Sequence, residues 1–239
     1  MIAGAPENGG MSDLTAVGHR GDPYRFRENT LASVRSAFAR GADAVEIDVR
    51  LTRDGVPVLL HDETLERLWG YDVRLDAVTA PQLKELTDGR VPSLREALME
   101  AGAGRLMIDL PGASYEAVKT VVDLVRECGA RDRAYYCAGP NTMLAVRAAD
   151  PGAEISLTWT TLSPPRRVLI DAVRPRWLNY RFGLVGRELT DALHRDGLLV
   201  SAWTPDTKRS MRAVVRAGVD SVTTNRLDAL AAVRAGLGR

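Results

Sequence analysis

The chain has 239 residues, 45% hydrophobic and 26% charged, a balance that argues against a disordered or a membrane protein and suits one large globular domain. Thirty-two Lys and Arg stand against thirty-one Asp and Glu, so no global field recruits nucleic acid or an anionic membrane, and an anionic substrate must be met by local groups. Cys128 and Cys137 form no CxxC pair, which points away from a disulfide framework or a zinc site, and no apolar run approaches the roughly 18 residues of a membrane span.

In chain order, residues 1–13 are Gly-rich and lack the basic start and apolar stretch of a secretory signal. They are expected to form a disordered tail ahead of a single domain over 14–239, and a cytoplasmic location is expected with them. From Thr15 onward β-rich runs alternate with helical patterns, as a parallel sheet with crossover helices requires. The strand cores are Ala16 to His19, Val45 to Leu51, Leu106 to Leu110, Ala134 to Cys137, Ile155 to Trp159, Arg176 to Asn179, Leu198 to Trp203 and Ser221 to Thr224. Eight such units predict an α/β fold of the closed (β/α)8 TIM-barrel type.

The helices carry their own punctuation. Thr30 precedes Leu31 to Ala39 with Gly41 behind, and Ser93 with Glu96 has capping-box spacing; a helix from Ser114 stops at Gly129, and Thr207 to Ala217 ends before Gly218.

One segment departs from a simple strand and helix. Val45 to Leu51 runs through Thr52-Arg53-Asp54-Gly55 into Val56 to His61, and Asp-Gly between β-type runs predicts a two-residue hairpin turn. That register places Asp48 opposite His61 and adds Glu46 to the same face by the period of two. The hairpin is read as an extension of the second strand and not as a ninth barrel strand. The polar stretch from Leu65 to Pro92 follows as a short insertion without clear period, with Trp69, Tyr71 and Arg74 as candidate substrate contacts.

Carboxylates at i and i+2 of a strand point one way and offer hard oxygen ligands, which suit Mg2+ or Ca2+ better than zinc. Asp109, inside the apolar run Leu106-Met107-Ile108-Asp109-Leu110, is the candidate third acid, because an ionised carboxylate there must pair with an arginine or bind a cation. Taken alone, Glu46 and Asp48 suit a solvated hairpin face equally well, and Asp109 suits a structural ion pair.

Read together, His19-Arg20-Gly21, Glu28-Asn29-Thr30, Glu46-Ile47-Asp48 and Asp54-Gly55-Val56-Pro57-Val58 into His61-Asp62 resemble the glycerophosphodiester phosphodiesterase family. The likeness resumes at Val91 to Leu98, Ser201 to Thr204 and Gly218 to Thr224, and is weak from Ala134 to Tyr180. It implies hydrolysis of glycerophosphodiesters to glycerol 3-phosphate and an alcohol. It implies His19 and His61 as the acid/base pair, Glu46, Asp48 and Asp109 as ligands of one divalent cation, and Arg20 and Trp203 as substrate contacts.

Two departures stand out. Asp109 replaces the family's glutamate, and Pro111 stands where a lysine is usual; Arg181 is a candidate to restore the lost charge. Two other functions share this site: a lysophospholipase D, whose apolar groove would come from Leu68, Trp69 and Tyr71, and a barrel that binds a phosphate ligand or partner without catalysis.

Overall fold

The computed structural model describes residues 14–236, so the expected N-terminal tail lies outside the described residues. Eight parallel strands close into a barrel: β1 (Thr15–Gly18), β2 (Ala44–Leu51), β4 (Arg105–Asp109), β5 (Ala134–Ala138), β6 (Ile155–Trp159), β7 (Trp177–Arg181), β8 (Leu199–Trp203) and β9 (Ser221–Thr224). Each pairs with its sequence neighbours, and the β1–β2 pairing shuts the ring. The ninth strand, β3 (Pro57–Leu59), pairs antiparallel with β2 alone, so the hairpin extends that strand as expected.

Alternation along each strand separates two cores. Outward residues such as Val45, Ile47, Ile108, Leu157 and Leu178 join the helices in one fully buried cluster. Inward residues Val17, Ala44, Met107, Tyr135 and Cys137 pack together inside the barrel, and Met107 and Cys137 also line the cavity that opens at the C-terminal ends of the strands. Thr30, Ser93, Ser114 and Thr207 each cap a helix through their side-chain oxygens, as their spacing predicts.

The hairpin corrects the sequence reading by one residue. Its turn has three residues, Arg53 to Gly55, closed by Thr52 N donating to Val56 O at 3.1 Å, with Gly55 at φ +79° in the left-handed position such a loop demands. Leu51 therefore faces Pro57, and Leu60, whose N donates to Asp48 O at 3.0 Å, takes the place expected for His61.

The insertion after the hairpin is more ordered than its composition suggests. Leu65, Leu75, Val78, Leu83 and Val91 bury themselves with Val58 and Leu60 in a separate small core. A helix, Ala80–Leu86, opens on a complete Thr79–Gln82 capping box.

Candidate active site

The strand ends surround a cavity of about 280 Å3 lined by His19, Arg20, Glu46, Asp48, His61, Asp109 and Trp203 among others. All seven residues singled out from the sequence thus meet in one place. The insertion residues do not: neither Trp69, Tyr71 nor Arg74 lines it, and Trp69 lies between the guanidinium groups of Arg27 and Arg90, 4.3 and 5.0 Å from its ring centre. The candidate substrate contacts in the insertion therefore stand outside this cavity, and Trp69 packs against arginines instead. Arg181 is exposed and outside the cavity lining, so it does not replace the lysine lost at Pro111.

On the acidic side, β2 presents Glu46 and Asp48 inward and β4 adds Asp109 beside Asp48, its register partner. Ligand oxygens of the three lie within 4.8 Å of one another. Burial pushes the Glu46 carboxyl well above its ordinary range, with Asp48 and Asp109 adding repulsion; burial, then Asp48, raises Asp109 to about 7. Three acids this close cannot all ionise without a compensating charge. The three could hold a metal ion, which would supply that charge, and their all-oxygen donor set fits a hard ion such as Mg2+ or Ca2+.

Arg20 supplies part of the balance from a strained turn. Its φ is +56°, which turns its N–H onto Glu46 Oε2 at 2.8 Å. Its Nη1 donates to Glu28 Oε1 at 2.8 Å, and its Nε lies 3.1 Å from Asp48 Oδ2 without hydrogen-bond alignment. The next residue must be glycine: a Cβ at Gly21, φ +91°, would stand 2.2 Å from Ser33 Oγ, the hydroxyl that donates to Arg20 O and receives Asp22 N–H.

His19, one residue past β1, is oriented by groups from the far end of the chain. Its Nδ1 lies 2.8 Å from Asn225 Oδ1, and Asn225 donates through Nδ2 and backbone N to the Asp206 carboxylate at 2.7 and 2.9 Å. A carboxylate only accepts, so the amide must place its oxygen toward His19 and the imidazole must carry its proton on Nδ1. Nε2, 3.9 Å from Glu46 Oε2, is then the free ring nitrogen. Burial, followed by the Arg20 charge, lowers the His19 pKa, against the Asn225 hydrogen bond that raises it, and so favours the neutral ring.

His61 enters the cavity although the ladder register does not place it there. β3 ends at Leu59, and Arg50 Nε donates to His61 O at 2.7 Å, holding the chain where it leaves the sheet. His61 Nδ1 contacts Asp62 Oδ1 at 2.7 Å. Burial alone would raise the Asp62 carboxyl, but hydrogen bonds from Arg67 and His61 outweigh it and leave its pKa lowered. Arg67 continues to Glu28 Oε1 at 2.6 Å, so one chain of ion pairs joins the His61 side of the site to Arg20.

Asn225, Asp206, Asp62 and Arg67 were not among the residues that spacing suggested. Asn29, named above only within the Glu28-Asn29-Thr30 motif, holds Asp48 twice, donating to Oδ2 at 2.7 Å and accepting its N–H at 3.1 Å. The available signal was position: Asn225 directly follows β9 and Asp206 lies three residues after β8, at the C-terminal barrel face where such folds place chemistry. His194, the third histidine, pairs with Asp220 at 2.8 Å outside this cavity.

Comparisons with known proteins identify the family and the fold. The model of the glycerophosphoryl diester phosphodiesterase family matches residues 19–229. A glycerophosphodiester phosphodiesterase of Caldanaerobacter subterraneus is 26% identical over 230 residues, spanning 87% of this chain and 93% of the relative. Human glycerophosphodiester phosphodiesterase 1 is 34% identical over 128 residues, 48% of this chain and 39% of its own length. Among solved structures, a glycerophosphodiester phosphodiesterase of Thermotoga maritima superposes with a TM-score of 0.80 at 25% identity, covering 92% of this chain and 98% of the other. An Oleispira antarctica phosphodiesterase, solved with the product sn-glycerol-3-phosphate, gives 0.85 at 21% identity over 92% of this chain and 96% of its own; at that identity the likeness is one of fold. The chain belongs to the glycerophosphoryl diester phosphodiesterase family and is a phosphoric diester hydrolase.

Proposed function

We propose that the chain hydrolyses glycerophosphodiesters to glycerol 3-phosphate and an alcohol, with His19 as base, His61 as acid and one divalent cation, Mg2+ or Ca2+, on Glu46, Asp48 and Asp109. The observation that carries this reading is the meeting of three acids and two differently buttressed histidines in one cavity. The product bound to the Oleispira phosphodiesterase, sn-glycerol-3-phosphate, supports the same substrate class.

The cation, when bound, supplies Lewis-acid stabilisation of charge on the phosphoryl oxygens. The chain's own groups do the rest. Arg20, fixed between Glu28 and Asp48, faces the phosphate with a charge that never titrates away. Neutral His19 removes a proton at Nε2 from the attacking group, either water or a neighbouring substrate hydroxyl whose cyclic phosphate water then opens, and Asn225 stabilises the imidazolium through Nδ1–H. His61, in its doubly protonated form, delivers a proton to the departing alcohol while ionised Asp62 holds Nδ1–H. Trp203 lines the cavity as an apolar face for the glycerol carbons.

The test is release of glycerol 3-phosphate from glycerophosphocholine and glycerophosphoethanolamine by chelator-treated protein before and after Mg2+ or Ca2+ is restored. The expected result is turnover that appears only with metal. No release with either ion, or equal release in excess chelator, contradicts the proposal.

A further inference from the structure

The cavity has two unlike sides. Barrel order places β7 four strands from β2 in either direction, so the residues β7 turns inward stand across from Glu46 and Asp48. The inward residue there is Asn179, 4% exposed and part of the cavity lining. Its Nδ2 donates to Cys137 Sγ and to Thr158 Oγ1, each at 3.2 Å, and these two atoms lie 3.1 Å from one another. The triangle satisfies one end of the amide only: Asn179 Oδ1 is buried without a partner. Trp203 Nε1 and Thr223 Oγ1, on lining residues of the neighbouring strands β8 and β9, are likewise buried and unpartnered.

Buried polar atoms are nearly always hydrogen-bonded, and a cluster of exceptions in one cavity calls for a ligand. This cluster carries no formal charge and combines an acceptor, a donor and a hydroxyl that is both. A phosphate gains no cation there, whereas an alcohol hydroxyl, which both donates and accepts, can pair with the unsatisfied end of the Asn179 amide in either of its orientations and with Trp203 Nε1–H.

We propose that Asn179, with Trp203 Nε1 and Thr223 Oγ1, forms a hydroxyl-reading wall that recognises the free hydroxyls of the glycerol half of the substrate, and that Asn179 is thereby a specificity-determining residue. The proposal rests on the glycerophosphodiester reading above. Phosphate on the Arg20 and acid side leaves the glycerol carbons to cross the cavity toward β7 and β8. A substrate of the same length without hydroxyls leaves the wall's groups unpaired, a loss of roughly tenfold to a hundredfold in affinity for each group. Sites that hydrogen-bond a substrate hydroxyl reject the analogue lacking it much more strongly than apolar pockets reject size changes.

Calorimetric binding to the Mg2+-loaded protein tests this separately from turnover, with glycerol 3-phosphate compared against n-propyl phosphate, the same carbon chain without its two hydroxyls. The wild type is expected to prefer glycerol 3-phosphate by at least about tenfold, and Asn179→Leu to cut that preference to within about threefold, through the glycerol ligand. Trp203→Phe, which keeps a ring and removes the N–H, is expected to lower the preference in the same sense and decides the matter should Asn179→Leu not fold. Equal affinities in the wild type, or a preference that survives both substitutions, overturns the wall. Weakening of both ligands by one factor in both variants assigns these residues to architecture and overturns it too. Preferential binding together with absent glycerophosphodiester turnover contradicts the parent reading and leaves the wall standing.

Discussion

The two sides of the barrel mouth solve opposite problems. Strands β1, β2 and β4 crowd Glu46, Asp48 and Asp109 against Arg20 and His19, so the side is dense in charge and each group shifts its neighbours. Strands β5 to β9 contribute Cys137, Thr158, Asn179, Trp203 and Thr223, none formally charged; the first three are tied together by amide, thiol and hydroxyl contacts, whereas Trp203 Nε1 and Thr223 Oγ1 have no partner. Charge that must be compensated belongs where a cation and a phosphate meet, and neutral polar groups belong where selectivity depends on leaving none of them unpaired. Under the two proposals above, one fold separates the groups assigned to the phosphoryl centre from those assigned to selecting what is attached to it.

The comparison breaks first if the charged side is dispensable. His19→Ala and His61→Ala are each expected to lower kcat by about 10²- to 10⁴-fold while thermal melting stays near the wild type, and full turnover by either variant contradicts the paired roles. Asn225→Leu is expected to cost less, because it removes the partner that fixes the His19 tautomer but not the base itself. Ring-15N spectra of the wild-type protein are expected to show His19 protonated on Nδ1; in Asn225→Leu a mixture of tautomers should appear with a lower kcat. An unchanged ring signal would show that Asn225 does not orient the imidazole.

A smaller effect concerns stability without metal. Asp109 has its carboxyl raised from 3.8 to about 7 and Glu46 is raised as well. The folded state therefore holds these protons more tightly than the unfolded chain. The linked stability is fully present below the unfolded values and declines as pH rises from about 4 to about 7. Each unit of difference is worth about 1.4 kcal/mol, and in a domain of this size 1 kcal/mol moves Tm by roughly 2–4 °C. Chelator-treated protein should thus lose several degrees of Tm from this source between pH 5 and 7.5 relative to Asp109→Asn, and Mg2+ should restore them at the higher pH. A Tm difference between the two proteins that does not change with pH removes the strain argument.

The smallest expected change is Asp109→Glu. The longer side chain reaches farther toward Glu46 and Asp48, so tighter metal binding of a few-fold, measured by titration, is expected if Asp109 is a ligand; weaker binding contradicts that role.

Legibility in the sequence divided along the same line. The eight strands and the capped helices could be read because alternation and Ser or Thr caps are local signals. The charged residues could be read because His19, Glu46, Asp48 and His61 fall within one stretch of chain with fixed spacing. The hairpin register slipped by one because Asp54-Gly55 suits a two-residue turn, whereas Gly55 takes the left-handed place of a three-residue loop. His61 reached the site only because the chain leaves the ladder after Leu59. Asn225, Asp206 and Asn179 were not legible, since each is an ordinary polar residue whose role exists only when distant strand ends converge. In the insertion, the Thr79 and Gln82 cap was present in the sequence, but helices of one or two turns are too short to show a period.

The charged side stands on the claim that Glu46, Asp48 and Asp109 share one divalent cation. Calorimetric titration of Mg2+ and Ca2+ at pH 6.5, in buffers of different ionisation enthalpy, tests it directly. One ion should bind per chain and displace protons that Glu46 and Asp109 hold in its absence, and Glu46→Gln should abolish the tight binding. Absence of binding for both ions, or binding that Glu46→Gln leaves intact, contradicts the claim.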